Sequence, residues 1–248
     1  MIKAENISYQ LDGKIILDDF TFEFQKGLVY GIISPIEDRT AILLKLLCGI
    51  AEPLTGRITY DGVDILNSSE EEIMELRKII SFVFDRGGLL SNLTVLENLM
   101  LPMDYHLTSL SQDHKIDMIY YILEIFGIDK NVLNERPAKL HYQVSKLMAL
   151  VRGYITNPEV ILYDNPLSDL ERAFRKKVIK FFLDLKHRNV TQIFYSTTDT
   201  LFEISDNNLV FYEGKLVETG TWEELIMSNH SVTQYIIKEH LEIGINEA

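Results

Sequence analysis

The stretch from Gly27 to Ile50, GLVYGIISPIEDRTAILLKLLCGI, decides how the rest of the chain reads. It opens as a β-rich run, GLVYGIIS, and crosses a short polar segment. It then becomes TAILLKLLCGI, in which Ile42, Leu43, Leu46 and Leu47 recur at helical spacing. Gly49 stands near the end of that run, where glycine commonly closes a helix. A strand, a turn and a helix in direct succession make a βα unit.

Upstream, KAENISYQL and KIILDDFTFEF are two further β-rich runs, separated by the polar turns Asp12-Gly13-Lys14 and Gln25-Lys26-Gly27. Downstream, GRITYDGVDI reads as a hairpin turning at Asp61-Gly62. The middle of the chain is helical. Thr94 is placed to cap a helix carrying Leu96, Leu99, Met100 and Met103, with Glu97 at the capping-box position. A second helix carries Ile116, Met118, Ile119, Ile122, Leu123 and Phe126, and a third, after Pro137, carries Leu147, Leu150, Val151 and Tyr154. The β/α rhythm then resumes with VILYD, a helical face of Phe174, Val178, Phe181, Phe182 and Leu185, and the strands QIFYST and LVFYEG. From Trp222 the tail reads as two short helices. The pattern predicts an α/β fold over 1–248 as a single domain, with a helical subdomain over about 87–155 and a C-terminal helical extension over about 221–248.

Composition narrows the functional classes. The 248 residues include 24 Lys or Arg and 37 Asp or Glu, so 24 − 37 gives a net charge of −13. That balance opposes broad binding to nucleic-acid phosphates or to anionic lipid. Cys48 is the one cysteine, which excludes an intrachain disulfide, and its place in LLKLLCGI predicts a buried structural thiol. No run approaches the eighteen or so apolar residues of a membrane span, and MIKAENISYQ contains no secretory h-region. The expectation is a cytoplasmic protein that reaches a membrane only through a partner.

Four stretches carry a resemblance: TAILLKLLCGIAEPLTGRITYDGVDI, FVFDRGGLLSNLTVLENLMLP, NPEVILYDNPLSDL and GKLVETGTWEEL. In order and spacing they resemble the nucleotide-binding subunit of an ABC transporter over nearly the whole chain. GGLLSNLTV and the ending SVTQYI are most similar to the ATPase subunits of MCE-type lipid transporters. The resemblance implies an ABC-type P-loop ATPase fold: a β-rich N-terminal subdomain, a RecA-like core and a helical subdomain. It also implies ATP with Mg as the family ligand.

The positions that carry the family's chemistry depart from it. A phosphate loop reads GxxxxGK[ST], with glycines for close backbone approach and a lysine for the β/γ-phosphates. Here it is SPIEDRTA, from Ser34 to Ala41, with Arg39 at the second glycine, Thr40 at the lysine and Ala41 at the magnesium-binding hydroxyl. Glu37 and Asp38 sit in the turn that would cradle phosphate. Two like charges about 4 Å apart cost about 4 kcal/mol at an effective dielectric near 20, so this loop opposes triphosphate. Asp38 also precedes the apolar helix. It therefore reads either as an N-cap that, with Glu37, fills the anion site a phosphate would use, or as part of a solvated acidic turn.

By the same resemblance, the adenine-stacking aromatic is Leu11, with Tyr9 nearby as a possible substitute, and the Q-loop glutamine is Asp85. The LSGGQ signature is LHYQV, residues Leu140, His141, Tyr142, Gln143 and Val144. The Walker B carboxylate persists as Asp164, while the catalytic glutamate is Asn165, which cannot take a proton from water at neutral pH. The switch histidine is Thr198, and the D-loop keeps Ser168 and Leu170 but has Glu171 for aspartate.

Any one of these changes reads as tolerated divergence, with His141 a surface residue and Asp164 a strand-end acceptor. Together they remove adenine stacking, phosphate binding, metal binding, proton abstraction and γ-phosphate sensing. The framework persists, with glycines such as Gly31, Gly49, Gly56 and Gly62 expected at turns. The leading expectation is a non-catalytic subunit with no bound cofactor, supporting assembly or regulation of a membrane transporter, with lipid as the cargo class the narrower resemblance implies. It would pair with a membrane permease and form a heterodimer with a competent ATPase or a homodimer, without nucleic acid. Two alternatives stay open: a weak ATPase working in a composite site, and a scaffold unrelated to transport. The permease-docking groove would use Leu89, Leu90, Leu93, Leu101, Met103 and Tyr105, some of them core. The tail from Ser231 would either cap this chain or pack on a second subunit.

Overall fold

The computed structural model describes residues 1–35, 40–85 and 88–246, with the side chains described through residue 240. Two sheets organise it. In the first, β1 (Ile2–Leu11) pairs antiparallel with β2 (Lys14–Phe24) and with β4 (Thr55–Tyr60), and β4 pairs with the short β5 (Val63–Asp64). Both hairpins turn as their sequences predict. Asp12-Gly13 and Asp61-Gly62 each place two consecutive residues at positive φ, the backbone that suits the twist of paired strands.

The second sheet has six strands in the order β10-β9-β3-β8-β7-β6. These are β3 (Val29–Ile33), β6 (Ile80–Val83), β7 (Val160–Asp164), β8 (Thr191–Tyr195), β9 (Asn207–Tyr212) and β10 (Lys215–Gly220). Five are parallel and β10 closes one edge antiparallel to β9. The parallel strands are apolar on both faces, so alternate residues feed two separate cores. Ile33, Val83, Ile161, Tyr163 and Phe194 face one core, and Tyr30, Ile32, Leu162, Ile193 and Tyr195 the other.

The antiparallel sheet and α1 (Ile42–Leu47) cover one face. The other is covered by α3 (Val95–His106), α4 (Gln112–Phe126), α5 (Tyr142–Tyr154) and α6 (Arg172–His187). On α6, Val178, Phe181, Phe182 and Leu185 are all buried, each contributing roughly 1.5–3 kcal/mol of apolar transfer. The capping box at Thr94 and Glu97 forms as its spacing predicts. Cys48 is half-buried, and burial pushes its thiol up to about 11, which keeps it unreactive.

Several features differ from the sequence reading. Helix α2 (Glu70–Ile79), with a second capping box at Ser69 and Glu72, and strand β6 have no counterpart in it. The regular part of α1 begins at Ile42, with Ala41 at its N-cap. Asp38 and Glu37, for which the sequence suggests a capping role, and Arg39, at the second phosphate-loop glycine, lie outside the described residues. The tail is α7 (Trp222–Ile226) followed by a helix of 16 residues, α8 (Ser231–Asn246). Helix α8 lays Thr233, Ile236, Ile237 and His240 against this chain's own core.

Gly31 is not a turn residue. It lies inside β3, where a Cβ would stand 2.2 Å from Asn208 Oδ1 and 2.6 Å from Phe202 Cδ1. Both neighbours are buried, and Asn208 is fixed by Ser205, so neither can retreat cheaply. Gly31→Ala is therefore expected to cost about 1–3 kcal/mol, an overpacking penalty. Thermal unfolding should move down by roughly 2–10 °C. An unchanged midpoint would show that the contact relaxes freely.

Candidate functional site

In an open parallel sheet, functional groups gather outside the carboxyl ends of the strands. Here β3 delivers Ser34, β6 delivers Asp85, β7 delivers Asp164 and Asn165, and β8 leads to Ser196, Thr197 and Thr198. The sheet thus brings to one edge four segments separated by up to about 160 residues of sequence.

At the start of the phosphate-loop segment, Ser34 and Thr40 are fully buried and their hydroxyls bond to each other. The Thr40 hydroxyl is therefore turned inward. His240 reaches the same segment from α8: its Nε2 donates to the Ser34 carbonyl at 3.1 Å, and its ring edge meets Phe202 at 5.7 Å. Burial pushes the His240 pKa below its ordinary value, against nearby carbonyls and the charges of Glu239 and Asp199.

Asn165 lies in the left-handed region, at φ 48, one residue past the end of β7. Its N–H donates to the Tyr195 carbonyl at 2.8 Å. Its side-chain oxygen accepts from the Thr197 N–H and hydroxyl, each at 3.3 Å. Thr198 is buried, and its hydroxyl and N–H both engage Ser196 at 3.1 Å. Neither side chain presents a base.

The strongest cluster involves a residue that the motif positions do not include. Lys146 on α5 is 8% exposed at its side chain. Its Nζ donates to Asp85 Oδ1 at 2.9 Å, to the Asn165 carbonyl at 2.9 Å and to Ser168 Oγ. The Ser168 hydroxyl in turn donates to the same Asp85 oxygen. Burial pushes the Lys146 pKa down, while Asp85, Asp169 and Asp164 push it back up. A signal for this residue exists in the sequence. Gln143, Lys146, Leu147, Leu150, Val151 and Tyr154 form one inward stripe of α5, and Lys146 is the charge on it.

The signature segment is tied down as well. Gln143 is buried, donating to Glu171 Oε1 at 2.7 Å and accepting from the Glu171 N–H at 2.9 Å. This reciprocal pair fastens the start of α5 to the start of α6. Tyr142, where the family has glycine, is 54% exposed, and His141 is exposed beside it with ring centroids 4.7 Å apart. Leu140 and Val144 pack partly buried against the core. A cleft of about 560 Å³ opens between Leu140, Tyr142, Lys146, Asp85 and Asp169.

Structure separates the docking candidates. Met103 is fully buried, Leu89 and Leu93 are partly buried, and Leu90, Leu101 and Tyr105 are exposed, Tyr105 at 59%. Asn98, which the motif reading did not single out, holds the loop at 90–94 that precedes α3, the helix carrying Leu101, Met103 and Tyr105. Its Oδ1 accepts from the Leu90 N–H at 2.7 Å, and its Nδ2 donates to the carbonyls of Leu90 and Thr94. Phe84 and Pro102 line a groove beside this loop, with Arg152 donating to the Gly88 carbonyl. Leu11 and Tyr9 are partly buried, Tyr9 packing on the core beneath the antiparallel sheet.

A parallel sheet with a strand–loop–helix unit at its centre and four loops gathered beyond its carboxyl ends is an open α/β architecture, in which ligands bind at that end of the strands. The profile of the ABC transporter family matches residues 17–168, and the chain belongs to that family. It is 25% identical over 230 residues to the intermembrane phospholipid transport system ATP-binding protein MlaF of Haemophilus influenzae, covering 92% of this chain and 86% of that protein. It is 27% identical to the methionine import ATP-binding protein MetN of the same species, covering 99% of this chain and 72% of the relative. In fold it matches a dimeric post-hydrolysis state of the ATP-binding cassette MJ0796 bound to ADP and Pi, with a TM-score of 0.82, 19% identity and coverage of 89% and 98%. Among the described residues no helix is long and apolar enough to cross a membrane.

Asp164 supplies a test of the site's electrostatics. Burial, then the charge of Asp85, pushes its pKa above the ordinary carboxylate range, against Lys45 and Lys146. A carboxyl whose pKa rises on folding binds its proton more tightly in the native state. It therefore lowers stability as pH rises through that window, and the penalty is complete above the raised pKa. Asp164→Asn is expected to raise the thermal midpoint at pH 7. The gain should shrink as pH falls towards 4. A gain independent of pH would place its cause elsewhere.

Proposed function

We propose that this chain is a non-catalytic subunit of an ABC transporter, serving assembly or regulation of the membrane complex rather than ATP hydrolysis. The observation that carries the reading is the inward bond between Thr40 and Ser34. Where the family resemblance places the lysine that meets the β/γ-phosphates, a buried hydroxyl is already consumed by its neighbour. Three further arrangements support it. Asn165 is engaged by Thr197 and cannot act as a base. Lys146 already holds Asp85, and Tyr142 stands at a glycine position of the signature. The residues present do not fit MgATP held in the family's manner, so no hydrolytic step is derived through it.

The purified chain is expected to release no phosphate from MgATP above the buffer rate. Thermal unfolding should also be unmoved by MgATP, whereas a ligand at 100 times its Kd would add about 2.7 kcal/mol. Turnover that disappears in Asp164→Ala would overturn the proposal. Asp164 at the end of β7 favours the second reading, a weak ATPase completed by a competent partner; that reading requires nucleotide-dependent dimers in sedimentation.

The partner in the proposed complex is a membrane permease, which would hold the chain at the cytoplasmic face. The similarity to MlaF makes a lipid transporter the favoured class, with a homodimer or a mixed pair of ATPase-type subunits beneath it. Leu90, Leu101 and Tyr105 form the proposed contact, since they are apolar and exposed beside the Phe84 groove. Leu101→Asp and Tyr105→Asp should leave the thermal midpoint within about 1–2 °C of wild type, as surface changes do. Each should lower co-purification of the permease at least tenfold. Full retention in both variants would move the docking surface elsewhere.

A further inference from the structure

Lys146 is placed as a ligand would be, not as an ordinary surface cation. Its ammonium has three N–H bonds and meets three oxygens: the Asp85 carboxylate and the Asn165 carbonyl, each at 2.9 Å, and the Ser168 hydroxyl. A neutral amine has only two hydrogens to give, so three accepting oxygens require the protonated form. The oxygens come from two segments, Asp85 from the one after β6 and Asn165 and Ser168 from the loop between β7 and α6. Ser168 closes the ring by donating to the same Asp85 oxygen. Asp164 and Asp169 add negative potential from farther out.

A carboxylate, a peptide carbonyl and a hydroxyl converging on one point form a hard-cation donor set. We propose that these oxygens are a cation site occupied by the chain itself, with the Lys146 ammonium tethered where a dissociable divalent ion would otherwise sit. The two segments are then cross-linked through α5 whether or not any ligand is present. This deepens the non-catalytic reading and rests on it for its biological meaning, because a site that carries its own cation has no need to recruit one with a nucleotide.

The alternative is an ordinary buried ion pair, in which the oxygens have no capacity for a metal once the lysine is gone. The two differ in what the vacated oxygens do. Among the described residues no group of three or more His, Cys, Asp or Glu is arranged to hold a metal. The cradle thus relies on one carboxylate and neutral oxygens, which sets the affinity expected of it at the weak end for calcium sites, a Kd of about 10⁻⁴–10⁻³ M.

The test is calorimetric titration of the full chain with CaCl₂ and, separately, MnCl₂, with thermal unfolding alongside. Wild type should show no saturable binding. Lys146→Ala should melt below wild type and bind one divalent ion saturably, which restores part of the lost midpoint while equal ionic strength of NaCl does not. Adding Asp85→Asn to Lys146→Ala should weaken that binding at least tenfold. If Lys146→Ala does not fold, Lys146→Gln, similar in length and uncharged, takes its place in the same titration. Absence of binding in the folded variant, equal binding by wild type, or indifference to Asp85→Asn each overturns the proposal. ATP turnover by wild type is a separate outcome: it would remove the non-catalytic reading without deciding the divalent titration.

Discussion

Everything at the site depends on one constraint, the burial of a parallel sheet on both faces. Once antiparallel strands and α1 cover one side, and α3 to α6 the other, the strands can offer chemistry only at their ends. The carboxyl edge therefore collects Ser34, Asp85, Asp164, Asn165 and Thr198. That edge persists because the apolar alternation of β3, β7 and β8 fixes it, independently of what the loops do. Fold and chemistry are consequently under different physical control in this chain. The core sets where the groups sit, and single substitutions at the edge set what they can do.

What those substitutions share is internal satisfaction. Thr40 turns to Ser34, Asn165 is held by Thr197, Gln143 and Glu171 bond each other, and Lys146 satisfies Asp85. A ligand-binding edge leaves donors and charges incompletely paired until the ligand arrives. Here the described polar groups of the edge largely answer one another. The buried polar group that is hydrogen-bonded costs little, while the same group waiting for a partner costs about 1–3 kcal/mol. Closing these bonds internally removes that penalty, which is the physical basis of the non-catalytic reading proposed above.

Much of the framework was legible because it rests on short-range rules. Thr94 and Glu97 announce α3 through the capping box, and Asp12-Gly13 and Asp61-Gly62 announce their hairpins through positive φ. The same capping grammar opens α2 at Ser69 and Glu72, but three consecutive glutamates mask it as a charge run. The four residues of β6 are too short to separate from the helix before them. At the site, the family resemblance suggested the motif positions, while their partners could not be read from the chain. Lys146 and Asp85 are 61 residues apart, and His240 and Ser34 are 206 apart. A lysine on an apolar stripe signals a buried partner without naming it. Only the fold supplies the name.

The internal bonds also bear on how such a subunit could respond to its neighbours. A switch requires two arrangements within a few kcal/mol of each other and an effector that distinguishes them. The segments after β6 and β7 are joined by Lys146, the starts of α5 and α6 by Gln143 and Glu171, and the first segment to α8 by His240. Each link crosses between elements that would have to separate for the edge to rearrange. Breaking one leaves a buried charge or an unpaired amide, so the alternatives are disfavoured together rather than one at a time. In the proposed non-catalytic role, a chain cross-linked this way would move as a unit rather than rearrange at that edge. The exposed surface proposed to meet the permease is then Leu90, on the loop that the Asn98 side chain holds by four hydrogen bonds, together with Leu101 and Tyr105 on α3.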